Sequence, residues 1–141
     1  MATSVDIEKA LAACELFSAL SPEHRQAIAG ICRTTSTRKG DTLFLEGRPG
    51  AAMYLLASGS IQLFKASPDG REVVIRTVTP GGIFGEVVLF ERDTYPVTAI
   101  ARRNSTLYQI SRSGFYTLLS REQFRNSFLA HLARRLRYLS D

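Results

Sequence analysis

The residues best suited to chemistry lie between 81 and 98: Gly81-Gly82-Ile83-Phe84-Gly85-Glu86, followed by a segment ending Tyr95-Pro96-Val97-Thr98. Glycines let a backbone approach a ligand closely and present its amide hydrogens unobstructed. A short helix starting at Glu86 would add N-terminal donors, so the stretch reads as a seat for a small anion. Glu86 cannot hold the anion itself. Its carboxylate is suited to accept hydrogen bonds from a hydroxyl, as on a sugar. By residue chemistry alone, a glycine-rich turn closed by a helix-capping acid explains the same pattern.

Other reactive groups are isolated. Cys14 and Cys32 are eighteen residues apart with no close Cys or His companion, whereas zinc or iron–sulfur sites need a tighter set of soft ligands. They read as two reduced cysteines in or near the core. His24 and His131 both fall outside the β-rich middle of the chain, which argues against a jelly-roll metalloenzyme built on clustered histidines. Neither cysteine has an evident histidine base, so nucleophilic catalysis is not expected either. The expectation is a protein that is not an enzyme and has no metal.

The elements that must position these groups fall into three zones. Residues 5–31 are helical in texture: Ile7, Leu11 and Cys14 share a face, and Ser21-Pro22-Glu23 supplies an N-cap with proline at the first position of a helix over 22–31. Residues 32–110 alternate β-branched or aromatic with polar residues, broken by frequent glycine and proline. Strands are predicted near 40–45, 52–57, 60–66, 71–78, 95–102 and 105–110, with a hairpin across Pro68-Asp69-Gly70 and a short helix at 86–90. Such a rhythm suits a sandwich or jelly roll. From Ser111 to the end, 111–141, the period returns to helix. Phe124, Phe128, Leu132, Leu136 and Leu139 form an apolar stripe that either folds back on the roll or pairs with a second copy. The last helix reaches the final residue with no stop signal, as in a chain trimmed inside it.

At 141 residues the chain suits one domain. Its apolar runs are too short for a bilayer, and the acidic early N-terminus does not read as a signal peptide, so no membrane and a cytoplasmic address are expected. The net charge of +5 is uneven, with arginines at 121, 125, 134, 135 and 137 against Glu122 and Asp141 near the end. That basic end suits either nucleic-acid contact or an ordinary solvated helix face.

The order of three marks is more specific than any one: "YLLASGSIQLF", then "G-x-x-FGE-x-x-LF", then "A-x-x-x-S-x-L-Y-x-I", followed by the basic "HLARRLR". From about Leu16 to Ser140 the chain closely resembles the cyclic-nucleotide-binding domain, and more narrowly the sensor half of the Crp/Fnr superfamily of bacterial transcription regulators. The resemblance implies an α+β fold, a double-stranded β-helix (jelly roll) with N-terminal helices and a long C-terminal helix, spanning 1–141 as one sensor domain. It also implies a small-molecule effector, a homodimer across the stripe Phe124, Phe128, Leu132, Leu136 and Leu139, and DNA contact through a helix-turn-helix domain not in this chain.

In nucleotide-binding members of that superfamily, the positions of Gly85 and Glu86 seat the ribose 2′-hydroxyl. Ten residues later comes an arginine for the cyclic phosphate; here that position is Pro96, followed by Val97 and Thr98. Proline has neither guanidinium nor N–H. Thr98 could offer one hydroxyl, and Arg92 is a cation in the same loop. On the long helix Arg135 and Ser140 match residues near the nucleotide. The resemblance therefore leaves three ligand readings: a cyclic nucleotide, another small effector or haem (with His131, Met53, Cys14 and Cys32 as the available axial ligands), or a vestigial pocket in a dimerisation domain. A regulatory cyclic-nucleotide-binding domain of another signalling protein is the alternative function.

Overall fold

Ser21 caps its helix as the spacing predicts, its hydroxyl oxygen accepting from the His24 N–H at 3.2 Å. Ser111 does the same for a later helix through Gly114 N–H at 3.0 Å. These local signals delimit the helices of a computed structural model that describes residues 4–140, apart from the side chains of Ser4, Tyr138 and Ser140. Two helices come first, α1 (Ser4–Ala13) and α2 (Pro22–Ile31). The strands are β1 (Cys32–Thr37), β2 (Thr42–Phe44), β3 (Ala52–Ser58), β4 (Ile61–Ala66), β5 (Glu72–Val78) and β6 (Ile83–Phe84). A single-turn helix α3 (Val87–Phe90) precedes β7 (Thr98–Ala101) and β8 (Ser105–Ser111), and α4 (Arg112–Leu119) and α5 (Glu122–Ser140) close the chain.

Two antiparallel four-stranded sheets, ordered β1-β8-β3-β6 and β2-β7-β4-β5, face each other as a jelly roll. The core between and around them is built from Phe44, Met53, Leu55, Leu56, Ile61, Phe84, Ala99, Leu107 and Ile110. Ile7, Leu11 and Cys14 bury together as expected. The Pro68-Asp69-Gly70 turn joins β4 to β5, with Gly70 at φ +85°, the left-handed region where a side chain is disfavoured. Among the described residues no helix is long and apolar enough to cross a membrane.

Three departures have physical reasons. The predicted strand 95–102 begins only at Thr98; Pro96 cannot donate to a ladder. β1 was not predicted as a strand because Cys-Arg-Thr-Thr-Ser-Thr shows no apolar alternation; it lies at a sheet edge, paired only with β8. The third concerns the stripe on α5. Phe124 and Phe128 are each 2% exposed and pack against Phe115 within this chain's own core, so they are not a surface for a second copy. Steps of four residues drift about 40° each around a helix. The core instead follows Phe124, Phe128 and His131, leaving Leu132 half-buried and Leu136 and Leu139 about 70% and 69% exposed.

Candidate functional site

Gly85 sits at the turn from β6 into α3. Its φ is +77°, and a Cβ there would lie 3.3 Å from the Tyr95 ring and 3.4 Å from the Ala52 carbonyl oxygen. Only glycine fits without strain. Val88 and Leu89 anchor α3 in the core, which turns Glu86 toward a cavity of about 170 Å³ lined by Leu63, Ile75, Arg76, Phe84, Gly85, Val87, Tyr95, Pro96 and Val97 as well. One Glu86 carboxylate oxygen, Oε2, is buried without a hydrogen-bond partner. A buried acceptor left open costs about 1–3 kcal/mol, more when charged. The site thus presents an unmet demand for a donor.

Tyr95 forms the back wall. Its ring stacks on Phe44 with centroids 3.7 Å apart and planes 10° from parallel, and its hydroxyl donates to the Ala52 carbonyl at 2.7 Å. A Cβ on Gly50 would lie 2.1 Å from the same ring. Burial pushes the Tyr95 phenol up to about 12. Tyr95 also lines a wider outer groove of about 730 Å³ that includes Phe44, Arg48 and Tyr54.

The profile of the Cyclic nucleotide-binding domain family matches residues 34–122. The chain belongs to that family. It is 31% identical over 123 residues to the cyclic AMP receptor protein of Thermus thermophilus, a match covering 86% of this chain and 57% of that protein. The N-terminal domain of a transcriptional regulator from Streptomyces coelicolor superposes with a TM-score of 0.83 at 32% identity, covering 94% of this chain and 93% of that one. The sensor domain of the regulator DNR from Pseudomonas aeruginosa superposes with a TM-score of 0.78 at 26% identity, over 98% and 93%. These relatives place the domain in the Crp/Fnr superfamily. It spans less than two thirds of the length of the curated regulators it matches.

Within this cyclic nucleotide-binding domain, Gly85, Glu86, Pro96 and Val97 line one cavity. Val97 contributes only apolar surface. Thr98 does not line it; its hydroxyl oxygen accepts from the Glu46 N–H at 2.9 Å. Arg135 is also elsewhere. It pairs with Glu15 at 2.8 Å in a separate cleft of about 640 Å³, bordered by Cys14, Leu132 and the β5–β6 turn. Arg92 does not line the cavity either. The Ser140 side chain lies outside the described residues.

Haem does not fit the four side chains named for it. Met53 is fully buried in β3, and the His131 Nε2 is engaged by the Glu15 carbonyl oxygen at 2.7 Å. Cys14 is 2% exposed in the core, and burial raises both thiols, Cys32 to about 12.

Two residues that spacing did not reveal matter here. Arg76, on β5, lines the cavity beside Glu86. Arg112 holds the far side of α3: its Nε donates to the Val88 carbonyl at 2.6 Å, and its Nη2 to Gly50 and Arg92 carbonyls at 2.9 and 3.0 Å. The Tyr116 hydroxyl adds a bond to the Leu89 carbonyl at 2.6 Å. Phe90, at the end of α3, packs on Phe115 and Phe128 with centroids 5.8 and 6.3 Å away. A change at Glu86 is therefore one short helix from α4 and α5.

Proposed function

We propose that this chain is the effector-sensing and dimerisation domain of a Crp/Fnr-type transcription regulator, with the cavity at Gly85, Glu86 and Val97 as its small-molecule site. The buried, unpartnered Glu86 oxygen carries this reading, since a ligand hydroxyl would satisfy it. The Thermus and Streptomyces relatives support the regulator role. A match also exists to the cAMP-dependent protein kinase regulatory subunit of Aspergillus fumigatus, 32% identical over 104 residues. It covers 74% of this chain and 24% of that protein, less of this chain than the regulators do.

The cavity departs from a nucleotide site. At about 170 Å³ it is smaller than the several hundred Å³ common for ligand pockets. Pro96 removes the charge-assisted contact a cyclic phosphate would use, a loss of about 1.5–3 kcal/mol. The effector is accordingly another small, hydroxyl-bearing molecule. Its binding reorients α3, and Phe90 passes the change to Phe128 on α5. Leu136 and Leu139 are the surface on which a second copy docks, and DNA is contacted through a domain outside this chain, in the cytoplasm.

Calorimetry of the domain against cyclic AMP and cyclic GMP tests the ligand class. Weak or no binding of either is the expected pattern. Micromolar or tighter binding of a cyclic nucleotide would overturn the departure argued above.

A further inference from the structure

Arg76 bears a charge that the effector reading does not yet use. It stands opposite Leu63 across the β4–β5 pair, at a register shift between Leu63 and Phe64. Neighbours on a regular strand point to opposite faces, yet Ile75 and Arg76 both line the roll cavity. Such irregularities re-aim side chains. The Arg76 Nη2 donates to the Ile83 carbonyl on β6, two residues before Gly85. That bond fixes the guanidinium against the strand that presents the cassette and uses one of its five donor hydrogens.

Among the described residues, no carboxylate forms an ion pair with Arg76. Glu86 lines the same cavity with its Oε2 buried and unpartnered. Residues of opposite charge thus border one small space without pairing with each other. A molecule lying between them would complete both, its acid group on the guanidinium and its hydroxyl on the carboxylate. Pro96 and Val97 line the same cavity and add only apolar surface to it.

We propose that Arg76 is the anion-binding residue of this site, so that the effector is a small hydroxylated anion held between Arg76 and Glu86. The proposal rests on the effector reading given above and adds the ligand's charge and the residue that reads it. Arg76 also borders the cleft lined by Leu132 and Arg135. An anion drawn to it lies beside α5 as well as in the roll.

Calorimetry with four probes tests the assignment: ribose 5-phosphate, ribonate, uncharged ribose and cyclic AMP. Each is titrated into the wild-type domain, Arg76→Ala, Arg76→Lys and Glu86→Gln. The phosphate and carboxylate probes distinguish which acid group is read. At least one of them is expected to bind about tenfold or more tightly than ribose. Arg76→Ala should bring that ratio close to one, and Arg76→Lys should recover part of it. Because Arg76 is exposed on an edge strand, its variants are expected to keep the wild-type thermal midpoint. Binding that needs Glu86 but shows no preference for anions, or keeps that preference in Arg76→Ala, overturns the Arg76 assignment and leaves the effector site standing. Binding indifferent to Glu86→Gln overturns the effector reading itself. Failure of every probe to bind at millimolar concentration overturns both.

Discussion

His131 and Glu15 are joined across the fold: the imidazole Nε2 donates to the Glu15 carbonyl at 2.7 Å, while Arg135, one helical turn later, reaches the Glu15 carboxylate at 2.8 Å. One residue of the α1–α2 connection therefore receives two residues of α5. The two contacts differ in environment, since His131 is 3% exposed whereas the Glu15 side chain is 80% exposed.

That difference predicts unequal mutational costs. His131→Ala is expected to destabilise the domain by about 1–3 kcal/mol, because it removes a buried ring, leaving a void, and breaks its bond to the Glu15 carbonyl. Glu15→Gln breaks a solvated ion pair worth under about 1 kcal/mol. Urea denaturation of the two variants separates them; equal losses would contradict the ranking.

The α5 helix is predicted to respond in two ways along its length. Phe128→Ala removes a side chain that is 2% exposed and should cost about 3–5 kcal/mol. Leu136→Glu and Leu139→Glu change exposed positions and should move stability by about 0.5 kcal/mol or less. If that exposed pair is the docking surface for a second copy, sedimentation of the protein will shift from dimer toward monomer in the two glutamate variants. Phe128→Ala would not shift it at temperatures where the variant stays folded.

Tyr95 is expected to be the most sensitive wall of the cavity. Tyr95→Phe keeps the stack on Phe44 but loses the bond to the Ala52 carbonyl, a loss of about 1–3 kcal/mol. Gly50→Ala would press a methyl into the same ring and should cost about 1–3 kcal/mol by overpacking. Thermal unfolding measures both. A neutral Gly50→Ala would show that the ring can move aside.

Alkaline pH should destabilise the fold. Burial raises Cys32 from an ordinary 9.0 to about 12 and Tyr95 from 10.0 to about 12, so both keep their protons in the folded state after the unfolded chain has lost them. Stability is therefore level below about pH 9 and falls as the pH rises toward 12. Cys32→Ser should flatten the lower part of that decline in a pH series of urea melts. An unchanged slope would mean that Cys32 does not titrate differently in the two states.

Much of the fold was legible in the residues because its signals are local. The caps at Ser21 and Ser111, the Pro68-Asp69-Gly70 hairpin and the glycine at 85 each depend on a few neighbouring dihedrals and hydrogen bonds. Six predicted strands have counterparts in the sheets for the same reason. β1 and the two-residue β6 escaped because an exposed edge strand needs no apolar alternation and two residues show no period.

The site divides along the same line. Gly85, Glu86, Pro96 and Val97 line one cavity, and they are joined by a turn and a short helix close in sequence. Thr98 and Arg135 do not, because their partners, Glu46 and Glu15, lie 52 and 120 residues away. Arg76 was invisible for a related reason: strand alternation is broken by the irregularity opposite Leu63.

Sequence alone thus determined the family pattern, the three zones of helix, β-roll and helix, and the glycine at the turn before α3, all properties of short stretches of backbone. Tertiary structure decided which side of α5 is core, what Arg135 grips and which cation shares the cavity with Glu86. Those outcomes depend on helix drift, strand register and pairing between distant segments, which no local pattern carries.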